Sequence, residues 1–256
     1  MTPFFVPAAD ARLRCLRIPG ETEPPLVFLH EGLGNIALWR DFPERLCRET
    51  GRSGLIYERR GYGGSDPPPS TWPLDYLDAE SRVYLPAVLD GCGIDRAVLI
   101  GHSDGGTVAL IAAADRPDRV AGVVTEAAHI FVEPITLAGI RRAVDAYDAG
   151  RLREKLSRHH GDRADGIFRR WANTWLSPEF RDWNIVGRLS RITRPVLIIQ
   201  GENDEYGSPD QVTGIRDGAS GPTETALIPD CGHIPHLQAP EATLNRMADF
   251  IRRLGD

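Results

Sequence analysis

Short apolar runs bounded by Gly, Pro and Asp recur along the chain, most clearly at 26–29, 55–57, 97–100, 120–124 and 195–199. Near-continuous Val, Ile and Leu at this length suit strands buried on both faces, as in a parallel sheet. Residues 12–18 and 223–228 are further strand candidates. Between these runs the apolar period becomes helical. Over 37–48, Leu38, Phe42, Leu46 and Cys47 fall along one stripe, and over 76–89 Leu77, Val83, Leu85 and Val88 do the same. Residues 107–114 are short and strongly apolar, which predicts a buried helix. Residues 241–254 set Leu244, Met247, Phe250, Ile251 and Leu254 on one face of an amphipathic closing helix. Strands alternating with helices predict an α/β architecture around a mostly parallel sheet.

One stretch breaks the alternation. From about 133 to 188 there is no strand pattern, and the segment holds three of the five tryptophans (Trp171, Trp175, Trp183) with His159, His160 and Phe168. So long a connection between two strong strands predicts an inserted helical unit rather than ordinary linkers. The expected organisation is a core of 1–131 and 189–256, with 132–188 as a helical lid over one end of the sheet.

Composition narrows the function classes. The 256 residues, 41% hydrophobic and 26% charged, suit one sizeable globular core. A formal net charge of −6, with arginines scattered and Lys155 the only lysine, gives no basic patch for nucleic acid. Cys15, Cys47, Cys92 and Cys231 show no C-x-x-C spacing and no disulfide framework, which favours a reducing compartment. The first ten residues lack a basic stretch followed by an apolar run, and no apolar stretch is long enough to span a bilayer. The expectation is a soluble cytoplasmic protein acting on a small molecule, with no membrane partner. Nothing in the pattern specifies an oligomeric state.

The strongest chemical signal is Gly101-His102-Ser103-Asp104-Gly105-Gly106. It follows one predicted strand and precedes a predicted helix, the context of a G-x-S-x-G nucleophile elbow. A sharp turn strains the serine backbone, and bulk on either side would clash. The hydroxyl is then exposed beside a helix N-terminus, where free N–H groups favour developing negative charge. A serine hydroxyl needs a base. His233, in the Gly-bearing loop after 223–228 and just before the closing helix, is the candidate, with His236 the runner-up in a hydrogen-bonding role. The acid is expected after a core strand and before the histidine. Asp204, in Gly201-Glu202-Asn203-Asp204-Glu205, fits best, with Glu202 and Glu205 close in sequence. For the oxyanion, the loop His30-Glu31-Gly32-Leu33-Gly34 supplies one candidate N–H, at Gly32 with Leu33 second, and Asp104 supplies the other. Such donors are worth about 3–4 kcal/mol each in a transition state. Arg60 and Asp66, in the segment Arg59-Arg60-Gly61-Tyr62-Gly63-Gly64-Ser65-Asp66, are expected to brace loops near the floor of the site. That segment lacks the spacing of a phosphate-binding loop.

Taken together, His30-Glu31-Gly32-Leu33-Gly34, the Arg59–Asp66 segment, the Ser103 elbow, Gly201 to Asp204 and Gly232-His233 resemble the α/β-hydrolase superfamily over nearly the whole chain. Within it, the Ser-Asp-Gly-Gly elbow is similar to that of the valacyclovir hydrolase, or biphenyl-hydrolase-like, group. The resemblance implies an α/β-hydrolase fold with a mostly parallel eight-stranded sheet and a helical lid after the sixth strand. It implies neither metal nor organic cofactor, and it carries to Asp104 a role in binding a substrate amino group. One departure stands out. The superfamily usually has His-Gly after the first core strand, whereas this chain has His30-Glu31. A carboxylate there would repel an anionic substrate, assist water, or pair with an arginine such as Arg59. Ser103 argues against the aspartate nucleophile of dehalogenases. The expected activity is hydrolysis of an ester or thioester of a small to medium acyl group, with Glu31, Leu33, His129, Phe168, Trp171 and Trp175 as candidate pocket residues. A C–C bond hydrolase or lactonase would use the same triad, and a slow-turnover ligand sensor is the non-enzyme alternative.

Overall fold

A computed structural model describes residues 2–255. The chain opens with β1 (Phe4–Ala8), β2 (Ala11–Ile18) and β3 (Thr22–Leu29), then a 3₁₀ turn (Ile36–Trp39), α1 (Phe42–Thr50) and β4 (Arg52–Tyr57). Next come α2 (Tyr76–Ala79), a π-helical turn (Glu80–Tyr84) and α3 (Leu85–Gly91), followed by β5 (Ala97–His102), α4 (Asp104–Asp115) and β6 (Val120–Glu126). The helices α5 (Pro134–Asp148), α6 (Arg151–His160) and α7 (Ala164–Leu176) separate β6 from β7 (Val196–Gly201). The chain closes with α8 (Pro209–Gly218), β8 (Thr223–Ile228), α9 (Pro235–Gln238) and α10 (Pro240–Arg253).

The sheet has eight strands in the order β1-β2-β4-β3-β5-β6-β7-β8. Only β2 runs antiparallel to its neighbours, and β4 through β8 pair in parallel. The unbroken apolar runs arise because both faces of the parallel strands are covered. Phe28, Ile56, Val98, Ile100 and Ile199 meet α1 and α10, while Val27, Leu55, Leu99, Val123 and Ile198 meet α3, α4 and α8. The excursion between β6 and β7 is helical, as its pattern predicts, and an isolated antiparallel bridge between Phe131 and Asn184 ties its ends together. Among the described residues no helix is long and apolar enough to cross a membrane.

Two predicted helices differ in detail. The segment 37–48 is broken at Arg40, which has a φ of 53°, and α1 restarts with Pro43 in its first turn. Proline lacks the N–H that a helix running through would need, so it sits where that loss is harmless. In 76–89 the π turn shifts the phase of the stripe, and Val83, expected on the buried face, is 46% exposed.

Candidate active site

The parallel strands all deliver their C-terminal ends to one edge of the sheet, and the candidate catalytic side chains gather there. Ser103 occupies the turn between β5 and α4 with a φ of 52°. Its backbone is held by an N–H···O bond to the Glu126 carbonyl of β6, at 2.8 Å. The flanking glycines follow from contact distances. A Cβ on Gly101 would lie 2.2 Å from the Gly105 carbonyl oxygen, and one on Gly105 would lie 1.9 Å from that of Leu29. Helix α4 therefore starts against β3 with no room for a methyl group, and the serine is left at its N-terminus.

The loops after β7 and β8 meet in the same way. A Cβ on Gly201 would lie 2.2 Å from the Cys231 carbonyl oxygen, so glycine allows the loops that carry Asp204 and His233 to touch. His233 Nε2 lies 3.0 Å from Ser103 Oγ, and its Nδ1 lies 2.9 Å from Asp204 Oδ1. The same Asp204 oxygen accepts the N–H groups of Tyr206 (2.8 Å) and Gly207 (3.2 Å). Burial pushes the Asp204 carboxyl up, but the hydrogen bond and charge of His233 and the Tyr206 N–H together hold it below the usual carboxylate range. The loop after β8 is also anchored by the His233 N–H, which donates to Glu205 Oε2 at 3.2 Å.

The loop after β3 closes the other side. His30 is buried with its Nδ1–H donating to the Glu31 carbonyl (2.7 Å) and its Nε2 accepting the Arg59 N–H (3.1 Å). Burial and the Arg59 charge lower the His30 pKa to about 3, so the ring is neutral. The backbone N–H groups of Gly32 and Asp104 donate to no group among the described residues. Gly32 lies under the Trp171 indole, where a Cβ would approach within 2.5 Å.

The two acidic groups beside this loop are both engaged. The Glu31 side chain does not pair with Arg59. Its carboxylate faces His102 Nδ1 at 3.5 Å, while Arg59 donates to the Glu31 carbonyl at 2.7 Å. The second Arg59 contact is Asp104 Oδ2 (3.3 and 3.4 Å), which also accepts the Tyr76 hydroxyl at 2.9 Å. Asp104 is thus already paired and almost wholly buried, rather than free for a substrate ammonium. Tyr76 in turn accepts the Trp175 indole N–H at 3.0 Å, linking the elbow to α7.

Over Ser103 lies a cavity of about 170 Å³, lined by Glu31, Gly32, Leu33, His129, Trp171 and Trp175 among others, and roofed by α5, α6 and α7. Phe168 is a correction. It is fully buried and stacked on Tyr147 at 3.9 Å, because its position on α7 faces α5 rather than the sheet, and it does not line this cavity. His129 does approach the site. Its ring centroid is 5.7 Å from that of His233, its Nε2–H donates to the Tyr206 carbonyl, and burial followed by the His233 charge lowers its pKa. His236, 4% exposed, borders the cavity, paired with Glu126 at 2.9 Å and packed on Trp39. Arg60 and Asp66 brace loops, but at the β1–β2 end: Arg60 pairs with Asp10 and Asp66 with Arg12. The floor brace is Arg59. A larger cavity of about 930 Å³ lies at the N-terminal ends of β3 and β4 and contains none of these groups.

Sequence reasoning missed Tyr76, His102 and Tyr206 as parts of the site, and raised Arg59 only as a partner for the Glu31 carboxylate. Tyr206 had a signal in its position two residues after Asp204, and His102 in its place inside the elbow. Arg59 and Tyr76 reach the site only through tertiary packing.

Comparison with known proteins follows the same lines. The family described as α/β hydrolase fold matches residues 24–185. Serine hydrolase BPHL of Homo sapiens is 30% identical over 209 residues, covering 77% of this chain and 69% of that one. A 2-hydroxy-6-oxononadienedioate/2-hydroxy-6-oxononatrienedioate hydrolase of Klebsiella pneumoniae subsp. pneumoniae is 25% identical over 268 residues, covering 91% and 89% respectively. Among solved structures, a thermophilic esterase from Thermogutta terrifontis superposes with a TM-score of 0.78 over 100% of both chains at 17% identity, a likeness of fold.

Proposed function

The chain belongs to the α/β-hydrolase family and is a hydrolase, and on that premise we propose that it cleaves an ester or thioester of a small to medium acyl group through Ser103, His233 and Asp204. The observation that carries this reading is the chain of contacts from Ser103 Oγ to His233 Nε2 (3.0 Å) and from His233 Nδ1 to Asp204 (2.9 Å). The chain ends beneath a cavity rich in apolar side chains.

In the proposed reaction Ser103 Oγ attacks the acyl carbon as its proton passes to His233 Nε2. The depressed Asp204 carboxyl stays ionised, fixes the tautomer with hydrogen on Nδ1, and stabilises the imidazolium. The N–H groups of Gly32 and Asp104 receive the oxyanion. His233 then protonates the leaving group and afterwards deprotonates the water that releases the acid. Helices α5 to α7, within 132–188, serve as the lid that keeps bulk water out, with Trp171, Trp175 and Leu33 against the acyl chain.

Turnover of p-nitrophenyl esters of graded chain length, with fluorophosphonate labelling, tests the reading. Multiple turnovers are expected, and Ser103→Ala is expected to lower kcat by about 10⁴-fold or more and abolish labelling. A single slow burst, or activity that survives Ser103→Ala, would overturn it.

A further inference from the structure

His102 is 1% exposed and lies between two of the loops that must meet for the proposed reaction. Its Nε2 is 2.8 Å from the carbonyl oxygen of His233. A carbonyl only accepts, so Nε2 carries a proton. The other nitrogen, Nδ1, has no hydrogen-bond partner among the described residues and faces Glu31 Oε2 at 3.5 Å, an ion-pair distance. The backbone makes room for this carboxylate: a Cβ on Gly34 would sit 2.4 Å from Glu31 Oε2. Arg59 is committed to the Glu31 carbonyl and to Asp104.

We propose that Glu31 and His102 form an ion pair that positions the oxyanion loop against the base loop. Glu31 precedes Gly32, the proposed oxyanion donor, and His102 grips the residue that supplies the proposed base. Both act through other groups, so they are positioning residues. The inference rests on the reading of Ser103, Gly32 and His233 given above, and it gives the Glu in His30-Glu31 a part in turnover.

The charge balance agrees with the geometry. Burial alone would pull the His102 imidazole down, but Glu31 beside it reverses this and raises its pKa to about 9. Burial raises the Glu31 carboxyl, and His102 then holds it well below its ordinary range. The other ionisable groups facing His102 are Glu126 on β6, the His233 ring at 5.3 Å and the His236 ring at 5.1 Å. Of these, Glu126 is paired with His236. The imidazolium is therefore held at neutral pH and lost on the alkaline side.

The experiment measures kcat and KM for one p-nitrophenyl ester from about pH 6 to about pH 10. The enzymes compared are wild type, Glu31→Gln, Glu31→Asp and His102→Gln, each with a thermal melt to separate misfolding from mispositioning. The wild-type kcat is expected to fall as pH passes about 9. Glu31→Gln should lower kcat roughly 10- to 100-fold with little change in KM, as expected for a misplaced group. It should also move the alkaline limb toward neutrality, and Glu31→Asp should restore much of it. His102→Gln, which still donates to the His233 carbonyl but cannot be charged, should lose the limb. If the limb stays in place in a folded Glu31→Gln enzyme, or if the loss is confined to KM, the ion pair does not position the site. Ser103→Ala stands apart. Survival of turnover there would remove the nucleophile reading itself, whereas a dead Ser103→Ala with an unmoved limb would remove only the ion pair.

Discussion

At Arg59 the guanidinium is 4% exposed on its side chain, and its N–H groups end on two oxygens of the site, Asp104 Oδ2 and the Glu31 carbonyl. These belong to the elbow residue after Ser103 and to the residue before Gly32, so one side chain holds both candidate oxyanion donors at their spacing. Arg59→Met would leave the Asp104 carboxylate buried with only the Tyr76 hydroxyl on Oδ2. Removing one partner of a buried pair costs on the order of 3–5 kcal/mol. We expect a loss of that size in urea unfolding, and partial recovery in the double variant Arg59→Met with Asp104→Asn, which removes the stranded charge. Additive losses would show that the two groups do not depend on each other. At this scale the sequence was legible where function imposes a local pattern. Ser103, Asp204 and His233 each follow a strand in order, and the structure brings them within hydrogen-bonding distance. The partner of Glu31 was not legible. Arg59 and His102 are both far from it in the chain, at the ends of the two strands that flank β3, and only tertiary packing decides between them. Phe168 misled for a related reason: aromatic type says that a residue is buried, but not whether it faces a cavity or another helix.

Between elements, the contact that shapes the site is the start of α4 against the end of β3. Gly105 is the residue that permits it, since a Cβ there would lie 1.9 Å from the Leu29 carbonyl oxygen, an atom of backbone that cannot swing aside. Gly105→Ala must push α4 away from β3 and carry Ser103 with it. Overpacking of this kind costs typically 1–3 kcal/mol, and fluorophosphonate labelling should fall with the melting temperature. Gly187→Ala is the control. Nothing lies within 4 Å of its added Cβ, so stability and labelling should stay close to wild type. If both variants label alike, the elbow does not require the close approach. Most of the fold was legible at this scale because buried parallel strands read as uniform apolar runs. The exceptions have physical causes. Strand β1 escaped notice because it is a five-residue edge strand containing Pro7, and α8 because Gly214 and Gly218 dilute its stripe. The π turn after α2 changes the helical phase, which a fixed period of 3.6 does not follow.

Over the whole molecule, buried ionisable groups concentrate around one end of the sheet, and their shifts set how stability varies with pH. Burial, with the Arg59 charge for His30 and the His233 charge for His129, lowers the pKa of His30 to about 3 and also lowers those of His129 and His160. Between their folded values and the unfolded value of about 6.5, the unfolded chain binds more protons. Their stabilisation is therefore present above about 6.5 and is lost as pH falls. Glu31, Glu126 and Asp204 are depressed despite burial, through their histidine partners, and their contribution is lost at still lower pH. His102 runs the other way. Its pKa is raised to about 9, so its contribution is complete below the unfolded value and disappears as pH rises through 9. For these groups the two sides combine into a maximum near about pH 6.5. Urea midpoints measured from about pH 4 to about pH 10 should trace that peak. In His102→Gln the alkaline decline should flatten while the acid side keeps its slope. A midpoint that falls as steeply between about pH 6.5 and about pH 9 in the variant as in wild type would mean that the imidazolium between the two loops contributes nothing to holding them together.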